Sequence, residues 1–215
     1  MNDCSFSFCQ TEEMAMKRNK PKYKQIIDAA VEVIAENGYH ASQVSKIAKK
    51  AGVADGTIYL YFKNKEDILV SVFREKMGEF IEKIREEITK KESAEDKLYS
   101  LIEIHFKQLS LNHQLAIVTQ LELRQSNKDL RMKINNSLKG YLAIIDQILK
   151  EGIEEGLFHP QINIKLLRQM IFGTVDEVVT NWVMKDQKYD LVKQAKDVHY
   201  YILNGLKSTD DKKGS

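Results

Sequence analysis

Apolar residues recur at helical spacing along most of the 215-residue chain, and only two prolines, Pro21 and Pro160, stand against long helices. Proline removes a backbone donor and clashes with the preceding turn, so a chain this poor in it is free to be helical nearly throughout. Leu69, Phe73, Met77, Phe80, Ile84 and Ile88 follow at i, i+4, i+8, i+11, i+15 and i+19, the stripe of one long helix. Continued from 65 to 90, that helix is roughly 39 Å long at 1.5 Å per residue. No segment alternates with the period of a strand and no internal repeat is present. The expected fold class is all-α.

Charge divides the chain unevenly. The formal net charge is only +2. Residues 17–65 hold ten Lys/Arg against four Asp/Glu, a net +6, residues 1–16 are net −3, and 66–215 are net −1. A basic front on a near-neutral body is the footprint of a nucleic-acid module joined to something else. Inside that front, Ser42 to Lys65 reads as two short helices about a tight turn. Ser42 is the expected N-cap of the first, with Val44, Ile47, Ala48 and Ala51 as its apolar face and Gly52 as its stop. A second helix of about two turns follows, with Ile58 and Phe62 turned inward. Thr57, Tyr59, Tyr61, Lys63 and Lys65 remain for phosphates and base edges.

These residues carry a resemblance. The run G-T-I-Y-L-Y-F-K-N-K-E-D-I-L (Gly56 to Leu69) resembles the helix-turn-helix of TetR-family transcriptional repressors, and the match extends over Ile26 to Leu69. It implies an N-terminal three-helix DNA-binding domain and a larger C-terminal helical domain for ligand binding and dimerisation. The implied division is a disordered extension at 1–16, the DNA-binding domain at 17–65, the ligand and dimer domain at 66–207 and a frayed tail at 208–215. Ser42 and Gln43 are expected at phosphates or base edges, as are Thr57, Tyr59, Tyr61 and Lys65, with Gly56 allowing close approach. Asp55 departs from the family's commoner Lys or Arg and either accepts from a cytosine amino group or caps its helix. Lys22 and Tyr23, behind Pro21, are expected to reach phosphates beside the reading helix. The partners implied are double-stranded operator DNA and a second copy, joined through the eighth and ninth expected helices (Ile164–Val183 and Leu191–Ile202), reading a palindrome.

Three further segments, I-V-T-Q-L-E-L-R-Q-S-N (117–127), L-R-Q-M-I-F-G-T-V-D-E (167–177) and W-V-M-K-D-Q-K-Y-D-L (182–191), resemble the branch of that family that represses fatty-acid degradation. That resemblance implies long-chain acyl-CoA as the effector and no other cofactor. Phe106, Leu121, Tyr141, Met170 and Trp182 are candidate lining, and Arg124, Arg131 and Arg168 are candidate partners for coenzyme A phosphates. Ordinary core packing is the default account of the apolar set, and surface or dimer-seam salt bridges account equally for the arginines. Two other readings stand beside it: a sensor of drugs or other hydrophobic molecules, and a helical enzyme or interaction module on a borrowed fold.

The chain carries no G-x-G-x-x-G, phosphate-binding loop, G-x-S-x-G or H-E-x-x-H, and its five histidines fall at no metal-ligand spacing. No enzyme activity is expected. Cys4 and Cys9 form no disulfide framework. Neither a signal peptide nor a membrane span is evident, and a cytoplasmic, nucleoid-associated protein is the expectation. His105, on an apolar face, reads as a core histidine, and S-A-E-D at 93–96 as a capping box.

Overall fold

The computed structural model describes residues 21–204. The expected extension at 1–16, the basic residues 17–20 and the tail at 208–215 lie outside them. Among the described residues the chain forms ten helices and no strand: α1 (Pro21–Ala41), α2 (Val44–Lys50), α3 (Asp55–Ile58), α4 (Lys65–Ile88), α5 (Ala94–Leu111), α6 (His113–Glu122), α7 (Lys128–Asn136), α8 (Lys139–Glu154), α9 (Ile164–Met184) and α10 (Gln194–Asn204). The all-α expectation holds.

Two compact units emerge. One comprises the described residues up to Gly78 together with Ile117–Ser137; the other comprises Glu79–Ala116 and the described residues from Leu138 on. The boundary between these units falls within α4. The stripe from Leu69 to Ile88 is buried at every position. Asn64 starts α4 by accepting the Asp67 N–H at 2.8 Å, and Glu66 and Asp67 favour the positive end of the helix.

In the second unit α5, α8 and α9 pack on one another, and α10 packs on α5. Ser93 Oγ accepts the Asp96 N–H, as the capping box predicts. Gly152 lies in the last turn of α8, where a Cβ would clash with the Phe158 ring. Gly156, at φ 76°, makes the stop.

One helical expectation needs correction, and one helix was not foreseen. Asn127 caps α7 through the Leu130 N–H, while Leu130 and Ile134, one turn apart, anchor it. The reading helix is shorter than two turns. Its regular part is Asp55–Ile58, and single turns (Leu60 N–H to Thr57 C=O, Tyr61 and Phe62 N–H to Ile58 C=O) carry the chain onward.

Candidate DNA-reading head and effector core

The head is built around a break in α1. Gly38 sits at φ 72°, ψ 156°, a conformation reached at little cost only by glycine. The chain then turns through Tyr39–Gln43 into α2. Ser42 fills this corner. It is buried, and its hydroxyl donates to the carbonyls of Gly38 (2.7 Å) and Val33 (3.2 Å). The N-cap of α2 is Gln43, with no side-chain cap bond. The expectation that Ser42 caps α2 is therefore corrected: its hydroxyl is turned back to carbonyls of the broken helix.

Lys65 closes the same corner from the other side. Its ammonium donates to the carbonyls of Tyr39 (3.1 Å), His40 (3.0 Å) and Ser42 (3.2 Å), and lies 4.7 Å from the centre of the Tyr39 ring. A third group also holds the corner. The buried Glu122 carboxylate accepts the Tyr39 N–H at 2.8 Å and the Gln125 side-chain amide at 2.6 Å. Glu122 was not legible as a functional residue; its only signal was an acid closing an otherwise apolar helix.

Tyr23 is also turned inward. Its ring stacks on Phe62 at 5.2 Å, and its hydroxyl donates to Glu75 and accepts from Arg74. Burial, chiefly, raises the pKa of this phenol. Lys22, Gln43, Asp55, Gly56 and Tyr59 are exposed, and Thr57 and Tyr61 half-buried. Gly52, at φ 62°, makes the turn between α2 and α3. An added Cβ at Gly56 would meet nothing within 4 Å, so the fold itself does not require glycine there.

The core of the second unit holds one buried polar pair. His105 Nδ1 and the Tyr141 hydroxyl are 3.0 Å apart, ringed by Phe80, Phe106 and Phe172. Burial holds the imidazole neutral, with its pKa depressed to about 3, and pushes the phenol's upward. His105 Nε2 is buried without a hydrogen-bond partner. Trp182 is buried against His113, its indole N–H donating to the Tyr189 carbonyl at 2.7 Å. A separate cleft of about 280 Å³ opens among α4, α5 and α8.

The expected effector residues separate. Phe106, Tyr141 and Trp182 are core. Met170 is 58% exposed on α9, and Leu121 is 50% exposed on α6 despite the apolar pattern of that helix. Arg168 is paired with Asp146 at 2.7 Å. Arg131 donates to the carbonyls of Gln125 and Ser126, and with Leu121 and Arg124 falls in the unit of the reading head. Among the described residues no group of His, Cys, Asp or Glu could hold a metal ion, and no helix is long and apolar enough to cross a membrane.

Residues 26–72 match the family of bacterial regulatory proteins, tetR family, and residues 73–205 match the YsiA-like protein, C-terminal region. The chain belongs to the TetR family. It is 64% identical to the fatty acid metabolism regulator protein of Bacillus subtilis over 89% of this chain and 98% of that one. Among solved structures, the fatty acid degradation regulator FadR of Bacillus halodurans is 63% identical, covers 86% of this chain and 100% of its own, and superposes with a TM-score of 0.84. FadR of Bacillus subtilis, solved in complex with stearoyl-CoA, is 64% identical with the same coverage and TM-score. The protein is thus a TetR-family transcriptional regulator and not an enzyme.

Proposed function

We propose that this chain is a DNA-binding repressor of fatty-acid-degradation genes that long-chain acyl-CoA releases from a palindromic operator. The observation that carries the reading is the 64% identity, over nearly the whole chain, to a Bacillus subtilis regulator whose solved structure holds stearoyl-CoA. The protein works where the chromosome is, in the cytoplasm.

The contact set on DNA is Gln43, Asp55, Gly56, Thr57, Tyr59 and Tyr61, with Lys22 at its flank. Ser42, Tyr23 and Lys65 position that set from behind, because their polar atoms are committed to the protein. One such head makes few base contacts, so a two-fold dimer reading successive major grooves supplies the rest. Leu166, Met170, Gly173 and Met184 form an exposed stripe on α9, and Tyr200 and Tyr201 lie exposed on α10. We take these two helices as the seam, and Met170 as a seam residue, not effector lining.

The acyl chain is accommodated among the apolar helices of the second unit. An effector that binds better to the DNA-free arrangement weakens DNA binding, and DNA weakens the effector by the same factor. Native mass spectrometry of the purified protein tests two parts together. A dimer retaining acyl-CoA is expected. A monomer overturns the seam, and a hydrophobic ligand of another class overturns the effector.

A further inference from the structure

Resting on the DNA-binding reading above, we propose that Leu60 determines sequence preference at one position of each half-site, by packing on the 5-methyl group of a thymine. Leu60 is 69% exposed, yet Ile58 and Phe62, two positions to either side, are fully buried. It carries no polar atom for a phosphate, and the fold gives it no apolar cover.

The backbone sets its direction. The regular helix Asp55–Ile58 passes into turns closed by Leu60 N–H to Thr57 C=O and by Phe62 N–H to Ile58 C=O, and Tyr59 keeps helical angles at φ −70°, ψ −10°. The run from Asp55 to Phe62 therefore keeps turning by about 100° per residue. Ile58 and Phe62, one turn apart, fix the inward side. Leu60, two positions from each, falls on the opposite side, with Gly56 one turn before it. Gly56 is exposed, and an added Cβ there would meet no protein atom within 4 Å. The outward face of the reading helix is thus bare backbone followed by one branched apolar side chain.

A single exposed leucine is ordinary on a protein surface. This one stands in the basic front of the chain, where residues 17–65 are net +6, with exposed Tyr59 beside it and exposed Lys63 three residues on. Such a front draws the phosphate backbone and brings its outward face to the base edges. Leucine gains nothing from adenine, guanine or cytosine, whose major-groove edges offer donors and acceptors that it would cover without replacing their water. Thymine presents a methyl group there. With no side chain at Gly56, the leucine one turn on can reach the floor of the groove.

The test uses the full-length protein and operator DNA that it selects from random sequence, followed by fluorescence anisotropy. Thymines are replaced by deoxyuridine, which pairs in the same way and lacks only the methyl, one symmetry-related pair at a time. A buried methyl corresponds to about a fourfold change in affinity, so one such pair is expected to weaken the parent about fifteenfold. Leu60→Ala changes an exposed side chain and is expected to keep the parent's melting temperature. It binds the unmodified operator about as weakly as the parent binds the deoxyuridine form, and it no longer distinguishes the two. A leucine that acts only through the fold lowers affinity on both DNAs and keeps the difference between them. That result overturns the proposal, as does a parent that tolerates deoxyuridine at every position. If selection enriches no sequence at all, the DNA-binding reading fails and takes the thymine contact with it.

Discussion

Replacing Lys65 by methionine separates a residue that touches DNA from one that shapes the head. An ammonium has three N–H donors, and all three are used, on the carbonyls of Tyr39, His40 and Ser42. Methionine keeps most of the stem and removes every donor. Each bond contributes about 0.5–1.5 kcal/mol net, more when charged, and the ammonium over the Tyr39 ring adds about 0.5–1 kcal/mol at a partly exposed site. Water reaches the His40 carbonyl and recovers part of that, so a loss of about 2–3 kcal/mol is expected. For a chain of this size that corresponds to a melting point lower by about 5–10 °C. Circular dichroism on heating reads the loss. Anisotropy across a salt series reads the second half of the claim, since a phosphate contact contributes nearly one unit to the slope of log K against log salt. Lys65→Met is expected to lower stability and leave the slope unchanged. Unchanged stability with a slope smaller by about one unit refutes the clamp and makes Lys65 a phosphate contact.

Three further outcomes are expected. Gly56→Ala, at a site where an added Cβ meets no protein atom, holds or slightly raises stability but weakens operator binding roughly tenfold; unchanged binding in a filter or anisotropy assay means that DNA does not approach this backbone. Gly173→Trp, also in open space, gives a monomer of unchanged helix content by size-exclusion chromatography and circular dichroism; a persistent dimer removes α9 from the seam. For His105, whose folded pKa of about 3 lies below its ordinary 6.5, the unfolded chain binds the extra proton between those values, so its stability contribution is present above about pH 6.5 and is lost as pH falls toward about pH 3, reaching about 1.4 kcal/mol of loss at about pH 5.5. Denaturant titrations of His105→Gln against the parent should show that difference in slope, and parallel pH profiles contradict a neutral buried imidazole.

Local rules reached most of the fold. The stripe from Leu69 to Ile88, the Ser93 cap and the stop at Gly52 depend on neighbours within a turn or two, and all are read directly from spacing. Ser42, Tyr23 and Lys65 show where that reasoning stops. Hydroxyls and a lysine beside a helix-turn-helix look like DNA contacts, yet their partners here are carbonyls four and nine residues back, an Arg–Glu pair some fifty residues on, and three carbonyls more than twenty residues back. Only the tertiary fold decides which way such side chains face. The α7 helix was hidden for a related reason. Its two apolar anchors are enough when packed, but too few to show as a stripe among charges. Leu121 is a further kind of miss: it is half exposed although Val118 and Leu123 on either side are buried, because an apolar run does not say which of its positions faces solvent.

The measurement that bears most directly on the account is release from DNA. The protein is held on its selected operator, and palmitoyl-CoA, free coenzyme A and palmitate are titrated separately below the concentrations at which they form micelles. The account predicts that palmitoyl-CoA alone dissolves the complex, and that operator DNA in turn weakens palmitoyl-CoA binding by the same factor. A complex that survives palmitoyl-CoA as well as it survives free coenzyme A contradicts it.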